Sequence, residues 1–131
     1  MATVTLISDE EASTEVLAVF DDIRATRGTD FINNFWRALA HDPATLKATW
    51  ERLKAVMGPG EIDPLVKEMI YIAVSTANGC EYCVHSHTAA AKAKGMTEVQ
   101  HSELVSVIGM AMQTNGLVTA MQVEVDDAFR V

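Results

Sequence analysis

The sequence predicts an all-α fold, and three observations carry that prediction. Sustained period-2 alternation is absent and the β-branched residues are scattered among alanines, methionines and leucines, so nothing reads as a strand. Capping residues recur where apolar helical periodicity begins, as at Asp42-Pro43 and Asp63-Pro64. Glycines stand where that periodicity stops, at Gly28, Gly58, Gly79 and Gly95.

The elements follow in order. Ser8 or Asp9 can cap a first helix, about Glu10 to Thr26. A second runs from about Phe31 to Ala40, with Phe31, Phe35, Leu39 and Trp36 facing inward. Asp42 and Pro43 open a third helix to Met57, ended by Gly58-Pro59-Gly60. Asp63 and Pro64 open a fourth to Ala77, which Asn78-Gly79 breaks. A fifth starts at Cys80 or Glu81 and reaches Lys94, with Gly95 as its C-terminal cap. Thr97 starts the last section, a short turn and one or two helices to about Ala128. The fourth helix and the segment from Leu104 to Val125 are too apolar for ordinary surface helices, which points to a homo-oligomer.

Composition bounds the possibilities. A chain of 131 residues has room for one domain, expected to span 1–131, and at 49% hydrophobic it should fold without metal or disulfide staples. The formal charge of −8, with no basic stripe, argues against nucleic acid and against an anionic membrane surface. Residues 1–8 lack a basic n-region, and the apolar runs Met69–Val74 and Leu104–Met112 are short for a membrane span. A cytoplasmic protein is expected. In that reducing compartment two cysteines three apart should be catalytic or metal-binding, not a structural staple.

The segment Glu68 to His87 carries the chemistry. Cys80 sits at a helix start just after a glycine, where unpaired first-turn N–H groups stabilise a thiolate. Cys83 lies on the same face, within disulfide reach, and His87 is four residues beyond it, placed to take or give a thiol proton. If the fourth and fifth helices pair antiparallel about Gly79, Glu68 lies about 16 Å back from the turn and His87 about 12 Å forward, at ~1.5 Å per residue. They then sit at similar depth, within reach of a water-bridged contact. Glu68 shares a helix edge with Ile72 and Ser75, so its carboxyl should have a raised pKa unless it is paired.

Blander readings stand beside these. The cysteines could be buried core thiols, or zinc ligands with His87, although no fourth ligand is evident and His85 points away. Val84 separates Cys83 from His85, so a haem attachment motif is not formed. His85 and His101 read as surface residues, His41 as helix-terminal capping, the methionines as core filler, and Tyr82 as either a site wall or packing.

Glu68, Cys80, Tyr82, Cys83 and His87 fall in one frame that resembles the AhpD-like alkylhydroperoxidases of the carboxymuconolactone decarboxylase superfamily. Phe35, Leu39-Ala40-His41, Pro43 and Leu46 look like its peroxidase-related branch, and Gly95-Met96-Thr97 fits its usual helix end. The likeness covers roughly residues 30 to 115. It implies a helical bundle built around a CxxC-bearing hairpin, one site per subunit, and assembly into dimers, trimers or hexamers. It also implies a thiol-dependent hydroperoxide reductase. Cys83 would be oxidised to a sulfenic acid, Cys80 would close the disulfide, and His87 and Glu68 would relay the proton. The helix dipole alone favours Cys80 as the attacking thiolate, so the order stays open. The decarboxylase members lack this cysteine pair, which disfavours lactone decarboxylation.

The expected substrate is a hydroperoxide, and the expected reductant a dithiol, either a lipoyl-type donor or a peroxiredoxin partner. No cofactor or metal is invoked. The alternatives are a redox-sensing or disulfide-exchange protein with little turnover, and a non-catalytic zinc-stabilised helical protein.

Overall fold

Asp42 and Asp63 start their helices as the sequence predicts. In the computed structural model, which describes residues 1–130, Asp42 Oδ1 accepts the Thr45 N–H at 3.1 Å and Asp63 Oδ1 accepts the Leu65 N–H at 2.8 Å. Pro43 and Pro64 follow at the first helical turn, where a missing N–H costs nothing. The elements are α1 (Thr14–Arg27), α2 (Asn34–Leu39), α3 (Pro43–Met57), α4 (Pro64–Ala77), α5 (Glu81–Ala93), α6 (Glu98–Met121) and a 3₁₀ turn at Asp127–Phe129. Among the described residues there is no strand. The chain divides into two units, Met1–Gly58 and Pro59–Val131.

In the first unit α3 packs against α1 and α2. The core is aromatic: Phe20, Ile23, Trp36, Leu46 and Trp50 are all buried, and the two indoles meet edge-on at 5.5 Å. Asp22 Oδ2 accepts the Trp50 Nε1–H at 2.6 Å, which satisfies the polar tip of that ring. Two expectations fail here. The first helix begins at Thr14 under a Ser13 cap, not at Glu10. Ser8 and Glu11 do form reciprocal capping bonds, at 3.0 and 3.3 Å, but they close only a turn. Asp9 is drawn off to Arg24 and Arg37, which bind its two carboxylate oxygens at 2.5 and 2.9 Å. The second helix starts at Asn34, so Phe31 lies outside it and is 67% exposed. Trp36 takes the inward position, and Phe35 lies at its edge, half exposed, with ring centroids 4.8 Å apart.

The second unit is a hairpin of α4 and α5 with α6 packed on α4. Gly79 makes the reversal, with φ 67°, a left-handed value that suits a residue without Cβ. Gly95, at φ 96°, follows the Lys94 cap of α5 and turns the chain back toward Met96. Ile72, Ala91 and Met96 form a small buried cluster, with Leu65, Met69, Leu104 and Ile108 partly buried around it. α6 opens on a capping box between Thr97 and Gln100. It then runs as one unbroken helix of 24 residues, one of the two forms expected, but it starts directly after Thr97 without the expected turn and ends at Met121, short of Ala128. None of its residues is buried. By length and composition alone it could cross a membrane, at a mean hydropathy of 1.3, although the apolar run within it reads as short.

Candidate active site

Cys80 is placed by the reversal at Gly79. Its backbone N–H donates to the Ser75 carbonyl at 2.9 Å, which ties the start of α5 to the last turn of α4. Cys80 is the N-cap of α5, and its Sγ accepts the Cys83 N–H at 3.3 Å. The first turn therefore aims an otherwise orphan N–H at sulfur, which would stabilise a thiolate in the reduced protein. Cys80 and Cys83 are bonded to each other as a disulfide, with Cα atoms 5.4 Å apart. Both are half-buried.

One turn beyond Cys83, His87 Nδ1 donates to Glu68 Oε2 at 2.6 Å. The contact is direct, where the sequence suggested a water bridge. Glu68 is only 4% exposed, and among the described residues only it and Ser75 are buried polar side chains. Its other oxygen, Oε1, accepts from Lys94 Nζ at 2.9 Å. Burial is the largest single influence on this carboxyl and pushes its pKa up. The hydrogen bonds from His87 and Lys94, and then their charges, outweigh burial and hold it below the ordinary 4.5. Glu68 is thus a paired carboxylate, the exception the sequence reading allowed. Because Nδ1 faces the carboxylate, Nε2 is the imidazole nitrogen left to exchange a proton. The Tyr71 ring stacks on His87 with centroids 3.6 Å apart and planes 19° from parallel, which fixes the plane of the imidazole.

All four residues expected at the site therefore lie on the one hairpin, and two more join them. Lys94 and Tyr71 escaped the sequence reading, yet both sit at helical spacing from a site residue. Tyr71 is three after Glu68 on α4, and Lys94 is seven after His87 on α5. His85 is exposed, on another face of α5. His101 is half-buried rather than a plain surface residue, and Tyr82 is 44% exposed. His41 does not cap a helix: its Nε2 donates to the Thr5 carbonyl at 2.8 Å. Among the described residues no group of three or more His, Cys, Asp or Glu side chains is arranged to hold a metal ion.

Residues 43–124 match the model of the carboxymuconolactone decarboxylase family. The crystal structure of the alkylhydroperoxidase AhpD core from Rhodospirillum rubrum superposes with a TM-score of 0.97 and is 68% identical, over 100% of this chain and 98% of that one. An uncharacterised protein of Cupriavidus necator is 30% identical over 82 residues, 63% of this chain and 73% of that protein. The alkyl hydroperoxide reductase AhpD of Solibacter usitatus is 36% identical over 64 residues, 49% of this chain and 34% of its own length. This chain is therefore a member of the carboxymuconolactone decarboxylase family, with an AhpD-like fold.

Proposed function

We propose that the protein is a thiol-dependent hydroperoxide reductase. The observation that carries this reading is the cysteine pair at the start of α5, one helical turn from a histidine held by a buried, ionised glutamate. In the reduced state one thiolate attacks the terminal peroxide oxygen, the O–O bond breaks, and an alcohol leaves after protonation. The second thiol then condenses with the sulfenic acid, releasing water and forming the Cys80–Cys83 disulfide. A dithiol donor, lipoyl-type or a peroxiredoxin partner, returns the pair to thiols and becomes a disulfide itself.

His87, backed by Glu68, takes the proton from the attacking thiol and supplies one to the leaving oxygen. The resemblance assigns the attack to Cys83, where His87 is one turn away. Cys80 keeps the N-cap position, and its sulfur is already the acceptor of the Cys83 N–H. The reading takes the chain as one AhpD-like domain acting in the cytoplasm as a homo-oligomer, with α6 turned toward a second copy.

The test is intact mass and free-thiol count on reduced protein, before and after one equivalent of an organic hydroperoxide. Loss of both thiols and of two hydrogens, followed by steady turnover with a dithiol, is the expected result. Cys80→Ser and Cys83→Ser should each abolish turnover and leave the helical content unchanged. Disulfide formation without turnover would favour the redox-sensing or disulfide-exchange reading. Thiols that stay free while the purified protein carries stoichiometric zinc would overturn the enzyme reading.

A further inference from the structure

We propose that Lys94 is the positioning residue of the Glu68–His87 pair: it holds one carboxylate oxygen, so that the other is presented to His87 Nδ1 and Nε2 is left to exchange protons. The inference rests on the proton-relay reading above. Its support is geometric. Glu68 is 4% exposed, and its two oxygens are taken separately, Oε2 by His87 at 2.6 Å and Oε1 by Lys94 at 2.9 Å. A carboxylate held at one oxygen only can rotate about its last torsion; one held at both cannot, and the histidine then sees a fixed acceptor.

The backbone of Lys94 is fixed as well. It is the C-cap of α5, and its N–H donates to the Ala90 and Ala91 carbonyls at 3.1 Å. Just beyond it, Met96 is 5% exposed and its N–H bonds the Ala91 carbonyl at 3.0 Å. A lysine at a helix C-terminus ordinarily complements the dipole with its ammonium in water. Here the ammonium binds the buried carboxylate, while the Lys94 side chain stays 40% exposed and that of Glu68 is 6% exposed.

Three other ionisable groups of the packed elements are engaged differently. Lys92 of α5 is engaged by Glu98 of α6 at 2.8 Å, and Tyr71 of α4 stacks on the imidazole. The half-buried His101 of α6 acts on Glu98. The charges that act on Glu68 come from Lys94 and His87.

The experiment compares Lys94→Met, which removes the charge at similar length, with Lys94→Gln as a second neutral variant and Lys94→Arg as the conservative one. The first readout is the tautomer of the neutral His87 ring, from nitrogen-detected NMR with His87→Gln for assignment. Wild type and Lys94→Arg should show one tautomer, protonated at Nδ1, and the neutral variants a mixture. The second is turnover, where the neutral variants should lose about tenfold in kcat at unchanged KM, part of the ~100-fold scale of acid–base assistance. A His87 tautomer in both neutral variants identical to wild type overturns the proposal, as does full kcat in an enzyme that turns over. If wild type reduces no hydroperoxide, the peroxidase reading fails while the tautomer comparison still decides the role of Lys94.

Discussion

The two units of this chain solve the same problem by opposite means. The first buries carbon: nine apolar residues, two of them tryptophans, form its core. The second has three buried apolar residues among those described, and its hairpin also encloses a carboxylate, a serine and most of an imidazole. Apolar burial gains roughly 25 cal/mol per Å², whereas burying a charge is costly unless it is paired and hydrogen-bonded. The second unit therefore keeps a polar site at a cost in packing, and its long third helix is left without a single buried residue. The larger apolar core and the candidate site residues are segregated along the sequence.

Truncation of the aromatic core should produce the largest loss. Trp36 is 1% exposed and meets Trp50 edge-on, so Trp36→Ala should cost about 3–5 kcal/mol, read as a lower urea midpoint at unchanged slope. Ile72→Ala in the second unit should sit near the lower end of the aliphatic range, about 2 kcal/mol, because its cluster is small. Equal losses at the two positions would erase the contrast.

Replacement of the buried carboxylate should instead be felt in rate. Glu68→Gln keeps the shape and loses the charge, and should slow peroxide-driven disulfide formation by about 100-fold, or ~2.7 kcal/mol of barrier. Its effect on the urea midpoint should be smaller than that of Trp36→Ala. Full activity in Glu68→Gln would remove Glu68 from the relay and leave the hairpin cluster with a purely structural part.

How much of this was legible in the sequence depends on whether the signal was local. Asp42-Pro43 and Asp63-Pro64 are caps whose partners lie two or three residues on, and α3 and α4 begin where these pairs place them. The Cys80, Cys83, His87 and Glu68 constellation was readable because helical spacing and one glycine turn determine it. Asp9 was misread because its partners, Arg24 and Arg37, are distant in sequence. Phe31 and Phe35 were misread because one indole fills the space that the pattern offered to three aromatics. Lys94 was missed because a lysine at the end of a helix already has an ordinary explanation in the helix dipole.

Acid should separate the units by a smaller amount. Asp9 and Asp22 are held below 3.8 in the first unit, mainly by hydrogen bonds from Arg24 and from Lys54 respectively, and Glu68 is held below 4.5 in the second. A carboxyl with a depressed folded-state pKa stabilises the fold above its unfolded value and loses that contribution as pH falls through the folded one. Melting temperature should thus hold from neutrality down to about pH 5 and decline below it. The Asp22 side chain is 44% exposed and that of Glu68 6%, so salt should shrink the acid sensitivity removed by Asp22→Asn far more than that removed by Glu68→Gln. The same salt response in both variants would contradict the burial contrast.

The smallest effect on the isolated fold is expected along α6, and there the comparison can be sharpened most. Val107 and Met110 are 61% and 57% exposed, and with Ala111 they line a surface depression of about 520 Å³ on that helix. If α6 faced only water, Val107→Glu with Met110→Glu would change stability by no more than about 0.5 kcal/mol at either position. If it covers a second copy of the chain, the same substitutions place carboxylates in an apolar interface, where each unpaired charge must be desolvated. Light scattering and sedimentation should then show the wild-type assembly falling to monomer while the helical content of each chain is kept. A monomeric wild type would leave α6 a solvated helix and would remove the apolar interface from the proposal. A wild-type oligomer unaffected by both substitutions would move that interface to another face, and α4 is the next candidate, since Val66, Ile70 and Val74 are exposed along it at 44%, 48% and 54%.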